Sequence, residues 1–443
     1  MTEKSTKDMP NARTGRAISR LGRINSLDYL RGIAIFNITW GHMALYWKDA
    51  SWLSLFALSD MILDWMGPCL FIAVTAIGTM ISIKQKQVQG KTEGMFKNAL
   101  RKSIYLFVVG EILNIIIEAN NANKVGIWHV LGMNMITAIA FSQLIMFGLA
   151  KLRRNQKFAL LVGLLILYPV LLVYVLAGVK YDYGGTIAVT AESLTQLPYI
   201  IYYLMFHMDA MAPTFLWLIT SVLTSLVFGE FVDSYVKLTG TRETDIARFK
   251  VRMREHAYVV SKLANYGLIL AVFSFLFGGF ILARGIGFSF DMNSYMNNPD
   301  VFRIYYLDGL PLVLVRNFVY CTVFNAGIFT LFFAFSYRRE CVQQKKLWLQ
   351  APLTTLGQFS FSMFIIGHIF MVIPLRVPYP VYLLIALPLT FAYCAAIIIW
   401  AAKGKGIGTL EWGLTMYVRV LDYASARFGT RGKKSPAKGT DAA

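Results

Sequence analysis

Arg31 and His42 are the residues of this chain best placed to do chemistry. They lie eleven residues apart in RINSLDYLRGIAIFNITWGHMALYW, residues 23–47, which turns apolar at Leu30. At about 100° per residue that is roughly three helical turns, so both share one face, about 16 Å apart along the axis. Asp28, Ile35 and Ile38 share that face, and Trp40 looks away from it. An ionisable group within a membrane helix costs a few kcal/mol unless it faces protein or water. Singly, Arg31 reads as a snorkelling anchor and His42 as a satisfied outer-end histidine. Together on one stripe they predict a polar path. A cation low on the helix would hold an anionic donor, and a histidine above it would act as general base or acyl carrier. Asp28, one turn below Arg31, joins them as the candidate catalytic set.

The elements that must position this set are membrane helices. The chain has 443 residues, of which 56% are hydrophobic and only 15% charged. Apolar runs long enough to cross about 30 Å of hydrocarbon recur throughout. The expected fold is all-α and polytopic, with about ten spans near 29–47, 61–83, 98–118, 127–150, 158–178, 210–236, 263–283, 309–336, 353–373 and 379–402. Residues 1–26 read as a disordered basic cytoplasmic tail, 27–402 as the transmembrane domain, and 403–443 as a cytoplasmic tail. The tail's GTLEWGLTMYVRVLDYA stretch is amphipathic and suits the inner leaflet.

Basic residues set the orientation. With the N-terminus inside, segments 1–31, 84–102, 151–157, 237–262, 338–346 and 403–443 are cytoplasmic and carry 36 of the 43 lysines and arginines. The others are Lys48, Lys124, Lys180, Arg284, Arg303, Arg316 and Arg376. Both termini are therefore expected in the cytoplasm of a cell-membrane protein. The net charge of +19 follows from topology and contact with anionic lipid, and implies no nucleic-acid partner.

This topology puts four of the five histidines, His42, His129, His207 and His368, in the outer half. His256 falls in the inner segment 237–262, which reads as a surface helix where that histidine is solvated. His129 and His368, with Glu111 and Asn114 in mid-span, are the candidate acceptor-binding groups. Arg101 and Lys102 stand at the inner end of the third span, as anchors or as further phosphate ligands. The four cysteines, Cys69, Cys321, Cys341 and Cys394, have no metal-ligand spacing, so no metal is expected.

The chemistry these groups suit is acyl transfer across the membrane. Phosphate-bearing acyl-coenzyme A is cytoplasmic, and a polar path would carry its thioester up to a histidine facing an outer hydroxyl or amine. No GxSxG, Walker A or HExxH motif offers another route.

The sequence SLDYLRGIAIFNITWGH resembles the opening of the membrane acyltransferase superfamily. That group includes the acyltransferase 3 and heparan-α-glucosaminide N-acetyltransferase-like families. The matching positions are Asp28, Arg31, Gly32 and His42. GIWHVLGMNMI resembles a GILHxIG segment at Gly126, His129 and Gly132. LGQFSFSMFIIGH resembles a late LGxxSxxxYxxH helix at Gly357, Ser360 and His368, with Phe364 where the Tyr is usual and Gly367 before the histidine. GTLEW resembles a C-terminal GPLEW motif at Gly408, Glu411 and Trp412. The resemblance implies about ten spans, an acetyl-CoA or other acyl-CoA donor, and an essential Arg31–His42 pair. The implied acceptor is an extracytoplasmic molecule such as a cell-envelope glycan. The competing reading is a transporter or flippase of an envelope precursor that uses the same polar cavity.

Overall fold

The computed structural model describes residues 24–47, 68–118, 134–178, 195–205, 214–240, 246–277, 319–368 and 377–431, with 370, 373 and 375. Among the described residues the chain is about 88% helical without strands, as the all-α reading expects. The helices are α1 (Asn25–Trp47), α2 (Pro68–Val88), α3 (Met95–Glu118), α4 (Met135–Leu149) and α5 (Arg154–Gly178). Then follow α6 (Leu197–Met205), α7 (Thr214–Val227), α8 (Gly229–Thr239), α9 (Ile246–Phe275) and α10 (Val319–Tyr337). A π-turn over Arg338–Val342 leads to α11 (Gln350–Gln358), α12 (Ser360–Gly367), α13 (Tyr379–Gly404) and α14 (Leu410–Arg431).

Among the described residues four segments are long and apolar enough to cross a membrane: Cys69–Val88, Arg248–Phe275, Val319–Val342 and Pro380–Gly404. The pair α7–α8, bent by 53° at Phe228, makes a fifth when counted as one span. Large apolar side chains also face outward, among them Ile166 on α5, Ile269 on α9, and Leu384 and Phe391 on α13. An outward apolar surface of this extent suits lipid rather than water.

Two glycine crossings hold the bundle at close range. A Cβ built on Gly32 would lie 2.7 Å from the Leu353 carbonyl carbon and nearer still to its oxygen. A Cβ on Gly357 would lie 2.7 Å from the Asp28 carbonyl carbon and 3.0 Å from the Gly32 nitrogen. Each glycine therefore faces the carbonyl four residues before the other. This symmetric backbone approach permits Cα–H···O contacts and excludes any side chain. Gly267 of α9 and Gly327 of α10 meet in a similar way, with Gly327 2.9 Å from the Gly267 oxygen when a Cβ is added.

Three expectations are corrected. The expected ninth span, 353–373, is not one helix. It breaks at Phe359 (φ −109°, ψ 23°) into α11 and α12. The expected inner surface helix within 237–262 and the seventh span are largely one continuous helix, the 30-residue α9. Finally, His256 is not solvated. It is fully buried, with Nδ1 2.7 Å from Ser234 Oγ and Nε2 2.9 Å from Tyr337 Oη, among the rings of Phe231, Tyr235 and Tyr337. Helical periodicity with mixed charge looked like a solvent face. The apolar pocket that α8 and α10 build around this one residue is invisible in that local pattern.

Candidate active site

The site is built on α1 and its partner pair α11–α12. The start of α1 is tied down by Glu340, just after α10. Its carboxylate accepts from Asn25 Nδ2 (2.9 Å), Gln350 Nε2 (2.8 Å) and Ser26 Oγ. One carboxylate thus fixes the beginnings of α1 and α11 together. From there the contacts advance in step along both chains. Gly32 meets Gly357, Thr39 lies 3.8 Å from a Cβ on Gly367, and Trp47 Nε1 donates to the Phe370 carbonyl at 2.8 Å. The two elements therefore run parallel, side by side.

This register has a direct consequence for the histidines. His42 follows Thr39 by three residues and His368 follows Gly367 by one, so their backbones lie within about one helical turn of each other in height on neighbouring helices. His368 is 5% exposed, and its Nδ1 lies 2.6 Å from the Phe364 carbonyl oxygen. A carbonyl can only accept, so Nδ1 carries the proton and the neutral ring has its lone pair on Nε2. That is the tautomer a general base needs, set by the helix's own backbone. α13 closes the other side at this height, where Tyr382 Oη donates to the Trp40 carbonyl at 2.8 Å.

Below the histidines, Arg31 lies 3.5 Å from Asp28, which is almost fully buried while Arg31 keeps a quarter of its side chain exposed. At the lower end of the expected stripe, Asp28 and Arg31 therefore pair with each other. The other predicted donor groups lie elsewhere. Arg101 on α3 is held at 2.6 Å by Asp422 of α14, and Lys102 is exposed.

The mid-span acceptor candidates form a second cluster. Asn134 caps α4 by accepting from the Ile136 and Thr137 amides, and donates to Asn114 Oδ1 (2.9 Å) and the Gly110 carbonyl (2.6 Å). Asn114 is buried and engaged in this cap, and Glu111 hydrogen-bonds to it from one turn below. Structural work is therefore visible for Asn114. Asn134 was missed, although an Asn placed just before an apolar run is a helix-start signal. His129, His207, Gly126 and Gly132 lie outside the described residues, as does the side chain of His42.

The C-terminal motif also acquires a role. Gly408 has φ +85°, a left-handed conformation that favours glycine, and it turns the chain into α14. Glu411 Oε1 then accepts from the Phe361 (2.8 Å) and Ser362 (3.2 Å) amides, and Oε2 accepts from Ser362 Oγ. These are the amides left without helical partners by the break at Phe359. Burial pushes the Glu411 carboxyl above its ordinary range, against the pull of those hydrogen bonds. Glu411→Ala is expected to cost about 1–3 kcal/mol by orphaning the cap donors. Thermal unfolding of the purified protein checks this, and an unchanged melting temperature would remove the capping role.

The chain matches no protein-family model and no curated protein sequence.

Proposed function

We propose that this chain is an integral membrane acyltransferase that moves an acyl group, acetyl in the simplest case, from cytoplasmic acyl-coenzyme A to an extracytoplasmic acceptor such as a cell-envelope glycan. The observation that carries this reading is the parallel packing of α1 on α11–α12. It sets the His42 and His368 backbones within about one turn of each other above the Asp28–Arg31 pair, with the His368 lone pair on Nε2. In the proposed arrangement about ten spans cross the cell membrane and both termini are cytoplasmic. The parallel sense of α1 and α11–α12 supports this, since both begin next to basic segments. Labelling of single-cysteine variants at 340 and 405 in intact cells is expected to fail from outside. Labelling there would overturn the topology.

Arg31 is proposed to bind the donor's phosphates from the inner side. Charge-assisted bonds are worth about 1.5–3 kcal/mol each, so Arg31→Ala should weaken donor affinity by about tenfold or more. Arg31→Lys should rescue only part of this, because the planar fork is lost. Calorimetry with acetyl-CoA reads both, and unchanged affinity in a folded variant would exclude Arg31. The function itself is tested by incubating purified protein with radiolabelled acetyl-CoA and envelope fractions and locating the label. No transfer to any envelope component would sink the enzyme reading.

A transporter or flippase is the second reading, favoured by one feature. α11–α12 is a broken helix beside α1, and α7–α8 is bent, as discontinuous helices around transport sites often are. Movement of an envelope precursor across vesicles without covalent change would select it.

A further inference from the structure

We infer that the cleft between α2, α5, α7 and α8 is a binding site for the phosphate group of an anionic amphiphile. The cleft measures about 330 Å³ and opens at the bend between α7 and α8. That volume suits one small headgroup. Three cations line it, Lys84, Arg154 and Lys157, against two carboxylates, Glu230 and Asp233.

Both carboxylates are already engaged. Glu230 is held between Arg154 (2.6 Å) and Lys262 (2.8 Å), and Asp233 holds Lys84 at 2.9 Å. They therefore brace cations around the cleft rather than offering a site for a metal ion. Counting Lys262, the group has two positive charges in excess. Among the described residues Lys157 makes no ion pair, although it is only partly exposed and lines the cleft. Arg154 and Lys157 also belong to the first turn of α5, whose dipole places its positive end at the same opening. Lysine, arginine and a helix start converging on one cavity suit a phosphate, with its several acceptor oxygens.

The surroundings specify an amphiphile. Met80 and Leu226 give the cleft an apolar wall. Phe158, next to Lys157, is 58% exposed on the outward apolar side of α5. A ligand with its phosphate at Lys157 can lay an acyl or other apolar portion along these groups. Two sources share this chemistry, an anionic phospholipid and a phosphate-bearing thioester donor. The site is separate from the Arg31–His42 stripe and does not rest on acyl transfer.

The experiment uses the full chain in nanodiscs of zwitterionic lipid. Binding of short-chain phosphatidylglycerol, acetyl-CoA and inorganic phosphate is titrated by calorimetry. At least one amphiphile is expected to bind more tightly than inorganic phosphate. Lys157→Gln and Lys84→Gln should each weaken it about tenfold, while Lys97→Gln, on the exposed face of α3, should leave it unchanged. Preference for phosphatidylglycerol assigns the site to lipid, and preference for acetyl-CoA assigns it to the donor. Arg31→Ala should leave phosphatidylglycerol affinity intact, which separates the cleft from the proposed donor anchor. The inference is overturned if no amphiphile binds, if inorganic phosphate binds as tightly, if Arg31→Ala abolishes phosphatidylglycerol binding, or if folded Lys84→Gln/Lys157→Gln protein keeps full affinity. Thermal unfolding of each variant establishes folding.

Discussion

His42→Ala is expected to lose acyl transfer by about 10²–10⁴-fold, the usual cost of removing a general base, while acetyl-CoA still binds. A covalent acyl-histidine route would make the loss larger. The expectation follows from position. His42 stands about three turns above Arg31 and within about one turn of the height of His368 on a parallel helix, so a donor held low can reach the height of both. His368→Ala separates the alternatives, because its Nδ1–H is committed to the Phe364 carbonyl and leaves Nε2 as the base nitrogen. Turnover and donor binding should be measured for both variants. Normal turnover in His42→Ala with loss in His368→Ala would move the base from α1 to α12. Normal turnover in both would remove the histidines from the chemistry.

Gly32→Ala and Gly357→Ala are expected to be among the most damaging single methyl additions in the chain. Each would drive a Cβ into a backbone carbonyl of the facing helix, and backbone cannot rotate away as a side-chain end can. Overpacking typically costs about 1–3 kcal/mol, more where backbone must shift. The crossing also sets the height of His42 relative to His368, so transfer should fall even in protein that still folds. Gly78→Ala is the control, since nothing lies within 4 Å of a Cβ there. The check is melting temperature and turnover for the three variants. A Gly32→Ala protein as stable as Gly78→Ala would show that the helices can part at no cost.

Much of this molecule is legible in its sequence, for a physical reason. Apolar runs of membrane-spanning length leave the backbone no good partner but itself, so the helical class follows from composition. The expected stripe of Asp28, Arg31 and His42 rests on helical spacing alone, and the tail helix α14 is legible from its amphipathic repeat. Ion pairs and crossings between distant segments do not follow from any local pattern. Arg101 reads from the sequence as an anchor or a phosphate ligand, and its ion pair with Asp422 comes only from the docking of α14 on α3. Asn114 reads from the sequence as an acceptor-binding group, and its hydrogen bond with Asn134 exists only because α4 docks on α3. The hydropathy of 353–373 is that of one span, because it averages over the turn where Phe359 leaves the helix and Glu411, about fifty residues on, takes up the freed amides. His256 carried no hint of burial, since its neighbours in sequence are charged and its neighbours in space come from α8 and α10. Spacing along one helix is set by covalent geometry and can be read from the chain. Which helix lies beside it, and at what height, is set by two glycines and a carboxylate more than 300 residues apart in sequence, and that is decided only in the folded protein.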